Sequence, residues 1–119
     1  MAKKSSTFQH SKVIPFLWFN KNASEAARFH CKIFSDSKIL DENPMSVTYM
    51  VAGQKIMALN GGPHFKLNQA FSLYVPCKDQ KEIDYYWSRL SKGATQMRCG
   101  WLTDKSGIVT GKQIGRAHV

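Results

Sequence analysis

The chain has 119 residues, 43% hydrophobic and 21% charged, which suits one ordinary core and is too short for two independent domains. Seventeen Lys and Arg against eight Asp and Glu give a net charge of +9. The composition excludes disordered and fibrous architectures, and no apolar run approaches the roughly 20 residues of a membrane span. The first ten residues lack the apolar stretch of a secretory signal, so the expected address is cytoplasmic. The lysines are spread singly, as at Lys12, Lys21, Lys32 and Lys38, which reads as a solvated basic surface; non-specific binding of nucleic acid is the competing reading. Cys31, Cys77 and Cys99 form no Cys-x-x-Cys pair and read as reduced thiols.

Residues 1–11 are expected to form a flexible tail. Val13 to Phe19 is a short aromatic-rich apolar run, hence a strand. In Asn22 to Phe34, helical spacing places Ala23, Ala26, Ala27, His30, Ile33 and Phe34 on one stripe, with Asn22 or Ser24 marking the start. Ser37 to Asp41 is a weak strand, while Ser46 to Val51 and Lys55 to Leu59 read as a hairpin turning at Gly53-Gln54. The pattern then returns. Ala70 to Val75 is a second apolar strand, and Asp79 to Leu90 a second helix with Ile83, Tyr86, Trp87 and Leu90 on its stripe. A shift of 56 residues lays Leu17 on Leu73, Ala27 on Ile83 and Phe34 on Leu90. Thr95 to Trp101 reads as a further strand and Asp104 to Gly107 as a turn. The expected fold is α+β: two tandem βαβββ modules, residues 12–62 and 68–111, in a single domain spanning 12–111, followed by an atypical, disordered tail at 112–119.

Three segments carry a family resemblance. Phe16 to Phe34 (FLWFNKNASEAARFHCKIF) resembles the opening of the PhnB-like proteins. Met57 to Val75 (MALNGGPHFKLNQAFSLYV) resembles their middle signature, and Asp84 to Gly107 their second helix and the strand after it. These proteins are often named 3-demethylubiquinone-9 3-methyltransferase-like and belong to the vicinal oxygen chelate group, with glyoxalase I and bleomycin resistance proteins. The resemblance implies curved mixed sheets enclosing a cavity, a small-molecule ligand and a homodimer. After Gly107 the chain departs from the pattern: Ile108 to Val119 looks like a frameshifted or artificial ending, which puts the last strand in doubt.

Metal-dependent members of the group bind a divalent ion through His and Glu on the first and fourth strands of each module. The positions that match here are Phe16, Trp18, Met57, Leu59, Asn60, Ser72 and Tyr74, which cannot replace imidazole and carboxylate around such a cation. No metal and no cofactor are expected. The same positions, with Trp101, are candidates to line a ligand pocket; a second core layer or a dimer interface would explain the aromatic strand face equally well. His64, behind Gly61-Gly62-Pro63, is the candidate for proton transfer, against the alternative of a solvent-exposed loop histidine. His30 reads as packing, and Glu82 and Asp84 as charges at a helix start. No glycine-rich nucleotide turn supports methyl transfer. The first functional reading is therefore a small-molecule-binding protein whose enzymatic activity is open. The alternatives are a metal-dependent lyase or dioxygenase using His64, and a basic nucleic-acid binder.

Overall fold

The computed structural model describes residues 12–68, 70–96, 101–105 and 108–111. The expected tails, residues 1–11 and 112–119, and Cys99 lie outside them. Two compact units divide the chain, Met1–Lys66 and Leu67–Val119.

The first unit begins with strand β1, Phe16–Phe19. Pro15 stands just before it, where its carbonyl accepts from the Met57 amide (3.0 Å) and its missing N–H costs no ladder bond. Helix α1 follows at Ala23–Ile33, then β2 at Lys38–Glu42, β3 at Ser46–Val51 and β4 at Gln54–Asn60. The sheet order is β1-β4-β3-β2. β1 runs parallel to β4 and the other pairs are antiparallel, so α1 and the hairpin serve as the crossover that a parallel pair needs.

The hairpin turns one residue earlier than expected. Ala52 (φ 49°) and Gly53 (φ 84°) both occupy the left-handed region that a two-residue turn of this hand requires, and Gln54 already pairs with Val51. The Gly53 amide also donates to the Asp36 carbonyl (3.1 Å).

Strand alternation sorts the side chains into two sets. Leu17, Phe19, Val47, Tyr49, Val51, Ile56 and Ala58 are buried on the helix side. The helix meets them with Ala23, Ala26, Ala27, His30 and Ile33, and Phe34 closes the stripe, as the spacing predicts. The three alanines are completely buried, small enough for the helix backbone to lie close to the sheet. His30 is a core residue, 1% exposed, with Nδ1 2.9 Å from the Ala26 carbonyl. The opposite set is half-buried or exposed.

The second unit repeats the plan: β5 (Ser72–Tyr74), α2 (Gln80–Leu90), β6 (Thr95–Gln96), β7 (Trp101–Thr103) and β8 (Val109–Gly111). Its order, β5-β8-β7-β6 with β5 parallel to β8, is that of the first sheet. Ile83 and Leu90 of the expected stripe are buried and Tyr86 and Trp87 half-buried. Asp79 caps the helix by accepting from the Glu82 amide (2.9 Å), and the Glu82 carboxylate accepts from the Lys78 amide (2.8 Å).

Two expectations change here. Thr95 to Trp101 is not one strand: Thr95–Gln96 pairs antiparallel with the strand that contains Trp101, and residues 97–100 lie outside the described residues. The last strand, doubted from the sequence, is present and lies inside the sheet, paired to β5 on one side and β7 on the other. The adjacent Ile108, 1% exposed, leads into it from the core. The Asp104 turn delivers the chain to it: the Ile108 amide donates to Asp104 Oδ1 (3.2 Å) and the Asp104 amide to the Ile108 carbonyl (2.9 Å). No helix of the described residues is long and apolar enough to cross a membrane.

Candidate functional site

The face of the first sheet away from α1 carries most of the residues singled out in the first unit. Register aligns them in rows: Trp18, Leu59 and Ser46 in one, then Phe16, Met57, Thr48 and Asp41 in the next. Paired residues share a face, so Phe16, Trp18, Met57 and Leu59 stand side by side. Phe16 is 63% and Met57 37% exposed, a large apolar area left open by its own unit's helix.

Trp18 is fixed at one end of this face. Its Nε1–H donates to the Gly62 carbonyl (2.9 Å), and Phe65 meets the ring edge-on at 4.9 Å. A Cβ on Gly61 would lie under 3.0 Å from three atoms of the indole, so only glycine lets the backbone pass there. The Gly61 and Gly62 amides continue the β1–β4 ladder by donating to the carbonyls of Phe19 (2.9 Å) and Asn20 (3.1 Å). The Gly-Gly-Pro-His-Phe run is thus clasped to β1 through an aromatic ring.

Asn60 separates from the pocket candidates. It pairs with Phe19, on the helix side of the sheet. Its Oδ1 accepts from the Ala23 amide (2.9 Å) and its Nδ2 donates to the Pro44 carbonyl (3.2 Å). The start of α1 is therefore satisfied from β4, while Asn22, the residue in the cap position, makes no side-chain cap bond. His64 is exposed in the turn after Pro63, and among the described residues no hydrogen bond or ion pair orients its ring. Ser72 is half-buried and Tyr74 68% exposed on β5 of the second unit, where register runs from Tyr74 through Gly111 to Trp101.

Away from this face, an ion pair ties the helix to the sheet. Arg28 on α1 and Glu42 on β2 form an ion pair at 2.7 Å; their hydrogen bond raises the guanidinium pKa and lowers that of the carboxyl, with Ser24 adding a second bond to Glu42. Burial pushes the Cys31 thiol up, the opposite of what an activated nucleophile needs. The Cys31 thiol donates to the Met50 carbonyl (3.7 Å) and the Cys77 thiol to the Val75 carbonyl (3.6 Å).

A divalent ion does not fit these residues. Among the described residues no three His, Cys, Asp or Glu side chains converge, and the matching strand positions offer aromatic rings, a thioether and an aliphatic chain. The chemistry available in the rows of Trp18 and Phe16 is apolar and aromatic contact, with the Ser46 and Thr48 hydroxyls and the Asp41 carboxylate beside it.

The paired βαβββ units define a fold of the vicinal oxygen chelate group, which contains glyoxalases and bleomycin resistance proteins. Solved structures agree. A Bacillus cereus protein, named provisionally as 3-demethylubiquinone-9 3-methyltransferase, PhnB protein, is 27% identical with a TM-score of 0.74, covering 84% of this chain and 96% of that one. A Pseudomonas aeruginosa protein is 18% identical (TM-score 0.66; 84% and 94% covered). The fosfomycin resistance protein FosX from Listeria monocytogenes, solved with Mn(II) and sulfate, is 14% identical (TM-score 0.58; 84% and 86% covered). The last two similarities establish the fold alone. The family model described as 3-demethylubiquinone-9 3-methyltransferase matches residues 11–111, and the chain belongs to that family. The comparison with curated proteins returns no match.

Proposed function

We propose that this PhnB-like protein binds a small organic molecule on the open face of its first sheet. The observation that carries the reading is the block of Phe16, Trp18, Met57 and Leu59, aligned by register and left uncovered by α1. Ligand sites are mostly apolar with a few placed polar groups, and the Ser46 and Thr48 hydroxyls stand in the same rows. Ser72, Tyr74 and Trp101 hold the corresponding place in the second unit. His64, exposed and unoriented, is a weaker candidate for proton transfer than for a loop residue. The protein is also proposed to work as a homodimer, in which case sedimentation should give twice the chain mass. Backbone NMR with a set of small aromatic fragments tests the binding reading. Shift changes should cluster on β1 and β4 and weaken in Phe16→Ala and Met57→Ala; changes confined to other elements, or none, would sink it.

A further inference from the structure

The open face of the first sheet has a third row. Lys38 pairs with Met50 and Met50 with Lys55, so both lysines stand on the same face as Phe16 and Trp18, at the far end from the Trp18 clasp. Lys38 and Lys55 lie two strands apart, about 10 Å, with the half-buried Met50 between them. Among the described residues neither ammonium group makes a hydrogen bond or an ion pair. One carboxylate shares the face, Asp41, exposed on the edge strand in the neighbouring row, so positive charge is in excess at that end. Four residues of extended β4 separate Lys55 from Leu59, about 13 Å. The face is therefore graded along its length: aromatic at the Trp18 and Phe65 end, Phe16 and Met57 beside Thr48 and Asp41 in the middle, doubly cationic at the other.

We propose that the ligand of this face is a monocarboxylate on an apolar body, its carboxylate between Lys38 and Lys55 and its aryl or alkyl end on Met57, Phe16 and Trp18. A lysine stem can lie along apolar surface while its ammonium stays available, so both parts of such a ligand are satisfied together. A purely apolar ligand would leave two unpaired cations beside it. A polyanion would find no third basic group in these rows. The proposal rests on the small-molecule reading of the same face and adds the charge and length of the ligand.

The test compares 4-phenylbutyrate with its neutral counterpart 4-phenylbutan-1-ol by backbone NMR titration of the full chain. The acid should bind at least about tenfold more tightly than the alcohol, a difference of about 1.4 kcal/mol. Its shift changes should run from Lys38 and Lys55 to Met57 and Phe16. The Lys38→Gln, Lys55→Gln double variant should remove that preference and leave the alcohol's affinity unchanged, and the NMR spectrum itself reports whether the variant is folded. Lys32→Gln, on α1 and away from this face, should change neither. Equal binding of acid and alcohol on β1 and β4 would overturn the anion proposal while keeping the small-molecule reading. Binding of neither on this face would overturn both. An equal loss in Lys32→Gln would assign the preference to the overall +9 charge and refute the site.

Discussion

A methyl group at Gly61 is the smallest change that tests the Trp18 clasp. The added Cβ would overlap the indole, so either the ring leaves its place or the backbone shifts and the bond to the Gly62 carbonyl is lost. Overpacking of this kind costs about 1–3 kcal/mol. Gly61→Ala should therefore melt earlier and alter the tryptophan emission, whereas unchanged melting and emission would show that the ring is not held. Asn60 is a second single-residue test. Asn60→Ala removes the acceptor for the Ala23 amide and should cost about 1 kcal/mol, as a lost helix cap does. Asn60→Asp keeps that acceptor and gives up only the bond to Pro44, so it should recover most of the difference in denaturant melts. Neither role is legible in the sequence. A glycine beside a glycine announces a turn, not an aromatic ring a helix and three strands earlier in the chain, and a cap supplied from 37 residues downstream leaves the local signal pointing at Asn22 and Ser24.

At the scale of the element, periodicity carries the most information. The α1 stripe is readable because burial against a sheet selects every third or fourth residue, and all six expected positions are buried. The second face of β1 is readable as bulky and aromatic, but which row each residue joins depends on the parallel pairing with β4, and that depends on the whole crossover. Asn60 needs no such knowledge: alternation along β4 already sets it on the face opposite Leu59. β8 is hard to see for the opposite reason. Its three residues are too short a run to show a period, and the buried apolar residue beside it is Ile108, one position upstream. The tie between α1 and β2 gives a pH prediction. The carboxyl pKa of Glu42 is depressed by Arg28, so the bond contributes above the ordinary carboxylate pKa and is lost as pH falls through the depressed one. Because the pair is exposed, the effect is small and screened by salt. Glu42→Gln should melt slightly below the parent at neutral pH and low salt, and the two curves should converge in acid. A gap that persists in strong acid, or that ignores added salt, would mean that Glu42 acts through packing.

For the whole molecule, the repeat decides both what the sequence tells and what it withholds. A strand and a helix that recur 56 residues apart imply the same unit twice, and the two sheets share one strand order. Chemistry does not recur so plainly, because the fold supplies the frame and individual side chains decide what it binds. Phe16 and Met57 pair at the start of the first parallel ladder, and Ser72 and Val109 at the start of the second; not one of the four is a ligand for a divalent ion. The lack of imidazole and carboxylate at these positions is open to a direct test. An ion bound only to the native state raises its stability by mass action, about 2.7 kcal/mol at a hundred times its dissociation constant. Millimolar MnCl2 should therefore leave the melting temperature of this protein where EDTA leaves it, and elemental analysis should find no stoichiometric Mn, Fe, Ni or Zn. A rise of several degrees with Mn(II), abolished by His64→Ala, would instead bring the exposed loop histidine into a metal site and restore the lyase or dioxygenase reading.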